Sequence, residues 1–196
     1  YKNIIKSVEK EIPRVDKIEN LPYNPVMDKV LPLIRMILSE DKPKIIRYRH
    51  NSLIAQYYKS QQDFQKISLP LTPDNIVYCK TRYLYIEHSS TAEKIIDSFR
   101  SQLPRFKNEY GYLPKLIVIK NMGIFAVENS LSTAETVLDV YEDLIKISYY
   151  ASRAGGIKYL SPEQIAFIDK WEVENYRRKV ATSSVPDDKL TNKIAI

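Results

Sequence analysis

The sequence is poor in the residues on which several common kinds of functional site depend. Of its 196 residues, four are glycine, two are histidine and one is cysteine. The single cysteine, Cys79, excludes an intramolecular disulfide framework and a cysteine-based zinc finger. So few glycines leave little room for a phosphate-binding loop, and neither a GxxxxGK[ST] nor a GxSxG motif occurs.

Long apolar runs are also missing. No run approaches the roughly 20 residues that a membrane-spanning helix needs. The segment 1–11 carries mixed charge, unlike a secretory signal. We therefore expect a cytoplasmic location and no membrane partner. The composition, 44% hydrophobic and 28% charged residues, is that of an ordinary globular domain.

The net charge of +6 is concentrated in two segments. Segment 41–66 has six basic residues against two acidic ones, and segment 100–120 has five against one. Such patches can bind nucleic acid, a sugar phosphate or an acidic partner. Solvated surface faces explain blocks of this size equally well. Because nucleic-acid binders usually cluster Lys and Arg more densely, we expect no nucleic-acid partner.

The periodicities predict a three-layer α/β fold, with a mixed sheet, helices packed on it and further helices at the C-terminal end. Strands are predicted near 44–48, 75–79, 83–86, 115–119 and 124–127, with a short hairpin link at 80–82. Helices are predicted near 25–40, 52–60, 90–103, 132–154 and from 161. Ser90 with Glu93 and Ser132 with Glu135 have the spacing of capping boxes, and Pro104 should end or kink its helix.

The residues offer little for metal or nucleophilic catalysis. A catalytic zinc site normally takes three protein ligands. His50 and His88 with Cys79 or Glu87 could supply them only if the fold brought them together, and no HxH, HExxH or CxxC spacing supports this. We therefore predict no metal ligand and no catalytic residue. Cys79, in a predicted strand, should be a buried and unreactive thiol.

One turn has a specific backbone requirement. Asn121, Met122 and Gly123 join two apolar strands. Glycine there permits a positive φ or close approach by a ligand. A plain tight turn explains the same residues.

From Pro114 to Asn129, PKLIVIKNMGIFAVEN, the sequence resembles the class II aldolase/adducin family. In that family a strand ends in Asn-His-Gly and is followed by a second strand and a capped helix. The resemblance covers about 42–156. It implies that Met122 stands where active members have a zinc-binding histidine. The family's upstream His-x-His-Ser corresponds here to YRHNS, residues 48–52, which keeps one histidine. A thioether does not replace an imidazole on such a zinc centre.

Further segments resemble the middle portion of the bifunctional rhamnulose-1-phosphate aldolase/short-chain dehydrogenase proteins. They are TPDNIVYCK at 72–80, FIDKWEVENYR at 167–177 and LTNKIAI at 190–196. This resemblance implies an N-terminal arm and helix over 1–40 and a degenerate aldolase-like domain over 41–181. Residues 182–196 would then be a linker and the first strand of a truncated dehydrogenase domain. It also implies that zinc and NAD belong to other domains of the longer protein and that this chain holds no cofactor.

Two hypotheses follow. The chain is either a catalytically degenerate aldolase-like domain with a structural or assembly role, or it contributes residues to a sugar-phosphate aldolase site completed by a preceding domain. Its expected partners are the other domains of the longer protein, a second copy in a homo-oligomer and a sugar phosphate. The candidate ligand-contacting residues are Arg49, His50, Asn51, Ser52, Asn121, Met122 and Gly123.

Overall fold

The computed structural model of the protein describes residues 17–40, 42–87 and 90–170. The helices in this part of the chain are α1 (Met27–Leu38), α2 (Gln61–Gln65), α3 (Ala92–Tyr110), α4 (Leu131–Ala151) and α5 (Pro162–Lys170). The strands are β1 (Ile45–Arg49), β2 (Leu84–Ile86), β3 (Leu116–Ile119) and β4 (Gly123–Glu128). A 3₁₀ turn covers Ile54–Gln56, and a π-helical turn covers Asn75–Cys79.

The four strands form one mixed sheet in the order β1–β4–β3–β2. Strand β4 is antiparallel to both β1 and β3, whereas β2 runs parallel to β3. Three residues separate β3 from β4, so these two strands form a tight hairpin. In the pairing of β1 with β4, Arg49 lies opposite Ile124. The end of β1 therefore meets the start of β4.

The alternation of side chains along β3 and β4 divides the core into two layers. One face of the sheet packs on α4, around Leu138 and Tyr141. The other face packs on α1 and α3, around Ile34 and Phe99. Since helices cover both faces, both strands are apolar at every position that faces a helix. The predicted three-layer α/β fold with a mixed sheet is confirmed.

The prediction of a strand at 75–79 is wrong. These residues form the π-helical turn, and Lys80 follows with a positive φ of 69°. The side-chain amide oxygen of Asn75 accepts hydrogen bonds from the backbone N–H groups of Leu71 and Thr72, which fixes the start of the turn. A short buried apolar run suits a helical turn as well as a strand, so its composition cannot decide between them. The predicted hairpin at 80–82 is absent as well, because β2 pairs with β3 instead.

The helix predicted at 52–60 is replaced by the 3₁₀ turn and by α2, which starts where Ser60 accepts a hydrogen bond from the N–H of Asp63. Two predicted caps are shifted. Thr91, not Ser90, caps α3, and Ser130 with Thr133, not Ser132 with Glu135, forms the capping box of α4. Each true cap has extended backbone angles and a second hydroxyl residue nearby in sequence. The residue types alone therefore could not identify it.

Pro104 lies inside α3 and does not end it. A proline costs a helix about 3 kcal/mol because it lacks an N–H group and its ring crowds the preceding turn. Pro104 is exposed, however, while Leu103 and Phe106 are buried on the core side of the helix. Burying two such side chains contributes about 3–6 kcal/mol, which is enough to continue the helix. It ends at Gly111, which has the left-handed φ of 76°.

The helix predicted from 161 is confirmed as Pro162–Lys170, and Ser161 and Gln164 exchange hydrogen bonds at its start. His88, segment 171–181 and the predicted linker and dehydrogenase strand at 182–196 lie outside the described residues, as does most of the N-terminal arm. In the described ranges, no helix combines the length and the apolar character needed to cross a membrane.

Candidate functional site

The two groups of candidate residues lie side by side at one end of the sheet. Arg49 ends β1, and His50 to Ser52 follow directly beside Gly123, the first residue of β4. Gly123 has φ +132°, and a Cβ atom there would lie 2.6 Å from the carbonyl oxygen of Arg49 and 3.2 Å from the Cβ of His50. The glycine is therefore required by close packing of the protein's own backbone.

Met122 points into the protein. Its side chain is 1% exposed and belongs to the core layer that also contains Phe99 and Phe125. The turn that brings it there is tight: Asn121 has a left-handed φ of 56°, and the N–H of Met122 donates to the carbonyl of Ile119 at 3.0 Å. The position that the family resemblance aligns with a zinc histidine thus holds a thioether among apolar side chains.

His50 has partners at both ring nitrogens. Its Nδ1 lies 3.2 Å from the carbonyl oxygen of Pro22, and its Nε2 lies 2.6 Å from the hydroxyl of Tyr58. A carbonyl oxygen can only accept, so Nδ1 carries the proton and Nε2 accepts from Tyr58. Burial lowers the pKa of His50, and the hydrogen bond to Pro22 only partly offsets this. The ring is held neutral, and neither nitrogen is left for a ligand.

The arginines of β1 face a row of carboxylates on α4. Arg49 contacts Asp139 at 2.7 Å, Glu142 at 3.1 Å and Glu135 at 3.3 Å, and Arg47 also pairs with Glu135. Burial opposes the charge of Arg49, but Asp139 and Glu142 outweigh it and raise its pKa. Lys146 also pairs with Glu142 and with Asp143, so four carboxylates face three cations and leave no net positive charge to attract a phosphate.

The side chains of Asn51 and Ser52 form hydrogen bonds with the backbone of this chain. The Asn51 amide oxygen accepts from the N–H groups of Leu53 and Ile54. Ser52 accepts from the N–H of Glu19 through its hydroxyl at 3.1 Å and donates its own N–H to the Glu19 carbonyl at 2.9 Å. These contacts fasten the segment before α1 onto the end of β1.

Zinc is the metal that the sequence resemblance to class II aldolases implies, and the described residues do not fit it. Met122 is buried and His50 is fully engaged. Burial raises the pKa of the Cys79 thiol, whose sulfur lies 3.5 Å from the carbonyl oxygen of Val137. Within the described ranges, no three His, Cys, Asp or Glu side chains are grouped so that they could hold a metal ion.

A second concave region lies at the other edge of the sheet and was not found from the sequence. It is a cleft of about 480 Å³ beside β2, between α2 and α3. Its polar lining residues are Gln61, Ser68, Arg82, Gln102, Arg105 and Glu109. The sequence indicated Arg105 only as part of the basic segment 100–120. Nothing in the spacing could join it to Arg82 and Gln61, because the fold alone brings these three elements together.

Comparison with known proteins finds one relative by sequence and several solved structures with a similar fold. No protein-family model matches the chain. The "Uncharacterized oxidoreductase YuxG" of Bacillus subtilis is 22% identical over 190 residues, which cover 87% of this chain and 27% of that protein. An aldolase II superfamily protein from Pseudomonas syringae superposes with a TM-score of 0.54 at 15% identity, over 83% of this chain and 62% of that one. An L-fuculose 1-phosphate aldolase gives 0.51 at 15% identity, over 74% and 62%.

These likenesses establish the architecture. The α/β fold with its mixed four-stranded sheet is similar to the folds of the aldolase II superfamily protein and of the L-fuculose 1-phosphate aldolase. The chain spans about a quarter of the length of YuxG and less than two thirds of each of the two aldolase-type structures. At these identities the superpositions define the fold, whereas activity has to be argued from the site residues.

Proposed function

We propose that this chain is a catalytically degenerate class II aldolase-like domain of a sugar-metabolising bifunctional aldolase/dehydrogenase, with a role in structure or assembly. One observation carries the proposal: the position that resemblance assigns to a zinc-binding histidine is occupied by the buried Met122. His50 uses both ring nitrogens within the protein. Zinc and NAD would bind in other domains of the longer protein.

The surroundings support the same reading. The candidate residues Arg49, Asn51 and Ser52 hold α4, the following turn and the segment before α1 in place. Their side chains connect neighbouring elements of the fold. The name oxidoreductase attached to YuxG, of which this chain spans 27%, is compatible with a longer protein that carries a dehydrogenase elsewhere.

The alternative is that the chain lends Arg49 and His50 to an aldolase site completed by a preceding domain. It would require Arg49 to leave three carboxylates and His50 to give up its bond to Tyr58. Each such exchange exposes a buried or half-buried polar group that then needs a new partner.

The test is zinc loading of the purified 196-residue chain, followed by gel filtration and elemental analysis. The same sample is assayed for retro-aldol cleavage of a ketose 1-phosphate. We expect neither retained zinc nor cleavage. Stoichiometric zinc or measurable cleavage would overturn the proposal.

The alternative is tested in the longer protein with the variants Arg49→Gln and His50→Gln. Unchanged turnover by a stable variant supports the structural role. Loss of turnover at an unchanged Tm favours a shared active site, because a residue that only supports the fold acts through stability.

A further inference from the structure

The cleft at β2 has the size and lining of a small-molecule site. Within the sheet formed by the described residues β2 is an edge strand, so the cleft floor is an open sheet edge. Gln61 and Phe64 of α2 form one wall, and Gln102 and Arg105 of α3 form the other. Its volume of about 480 Å³ lies within the usual range of about 300–1,000 Å³ for sites that bind small molecules.

Arg105 and Arg82 outnumber the one carboxylate in the lining, Glu109, and leave the cleft with a net positive charge. Arg105 is exposed and has no ion-pair or hydrogen-bond partner among residues 17–40, 42–87 and 90–170. Glu109, one helical turn further on, also lines the cleft, but no ion pair joins it to Arg105. The contrast with the other edge of the sheet is clear, because Arg47 and Arg49 are neutralised there by carboxylates of α4.

Arg82 supplies a second guanidinium that is already held in position. Its Nη1 donates to the carbonyl of Thr81 at 3.1 Å, and its Cζ lies 5.8 Å from the centre of the Tyr110 ring. The backbone N–H of Arg82 donates to the hydroxyl of Tyr112, which fixes the start of β2. A guanidinium restrained in this way loses little side-chain entropy when it binds an anion.

The remaining lining suits a hydroxylated ring. The side-chain amides of Gln61 and Gln102 offer donors and acceptors for hydroxyl groups. Phe64 and Tyr85 stack with ring centres 4.9 Å apart and give the cleft an apolar side. We propose that this cleft binds a small hydroxylated anion, such as a phosphorylated or carboxylated sugar, through Arg82 and Arg105. The inference is independent of the degenerate-aldolase proposal, since the cleft shares no residue with the β1–β4 end.

The test is calorimetric titration of the 196-residue chain with three probes: fructose 1-phosphate, gluconate and uncharged fructose. We expect at least one of the two anions to bind and fructose not to bind. The variant Arg105→Gln should weaken anion binding about tenfold or more, the loss typical of one charge-assisted hydrogen bond. Preference for fructose 1-phosphate over gluconate would identify a phosphate, and the reverse a carboxylate.

The matched control is Arg100→Gln, which removes an exposed arginine of the same helix that does not line the cleft. It should bind the anion like the unmodified chain. Equal binding by Arg105→Gln and the unmodified chain would overturn the proposal, as would absence of anion binding at probe concentrations of about 10 mM. Both substitutions are on exposed positions, so their Tm values should match that of the unmodified chain.

Discussion

Replacing Gly123 by alanine tests whether backbone packing explains this residue. The added Cβ would lie 2.6 Å from the carbonyl oxygen of Arg49, 3.0 Å from a ring carbon of Tyr48 and 3.2 Å from the Cβ of His50. The first contact involves backbone at the end of β1, which cannot move without disturbing its pairing with β4. The φ of +132° adds strain for any residue with a side chain.

The expected loss follows from these two terms. A residue forced into such a sparsely populated region costs about 1–3 kcal/mol. Overpacking against backbone costs about another 1–3 kcal/mol. Gly123→Ala should therefore lower the free energy of unfolding by about 2–6 kcal/mol, a large part of the stability of a typical domain. Urea denaturation followed by circular dichroism measures this directly.

Gly111→Ala is the control because it introduces the backbone strain of a positive φ without any steric overlap. Gly111 has φ +76°, and nothing lies within 4 Å of its added Cβ. It should cost only about 1–2 kcal/mol, the penalty of the left-handed conformation. If both variants unfold at the same urea concentration, the contact with Arg49 is not what requires glycine at position 123.

Two further predictions concern His50 and the cap of α4. Burial lowers the pKa of His50, so the unfolded chain binds more protons than the folded one just below pH 6.5. The free energy of unfolding should fall as the pH decreases from about 6.5, and the part of this fall that His50 causes should be absent in His50→Gln. If the variant and the unmodified chain show the same dependence of unfolding free energy on pH, the prediction is wrong. Ser130→Ala should cost about 1 kcal/mol in urea denaturation and Ser132→Ala clearly less, whereas the reverse order would restore Ser132 as the cap.

The strands of the sheet centre could be predicted from sequence because they are apolar on both sides. The predicted bounds of β3 and β4 agree with the structure within one residue. Leu116 to Ile119 and the four residues after Gly123 are all apolar, so the sequence marks where each strand lies. Segment 75–79 misled the prediction for a related reason. Its Ile, Val, Tyr and Cys are suited to burial, and only the contact with α4 and the Asn75 hydrogen bonds select a helical turn.

The candidate site, too, could be predicted from the sequence only in part. Resemblance indicated residues 49–52 and the Asn121–Gly123 turn as candidates, and the antiparallel pairing of β1 with β4 brings the two segments together. Sequence could not indicate that Arg49 is compensated, because its partners Asp139 and Glu142 lie about 90 positions further along the chain. The cleft at β2 was missed for the same cause: Gln61, Arg82 and Arg105 belong to three separate elements.

The placement of β1 has a consequence for the order of folding. The hairpin of β3 and β4 continues directly into α4, so residues 116–151 can form many contacts over short chain distances. Strand β1 joins this unit across 75 positions, the separation of Arg49 and Ile124. Closing so long a loop is slow, because its entropy is lost before the contacts form. We expect destabilising substitutions in the hairpin to slow refolding, while those at the β1 edge mainly accelerate unfolding.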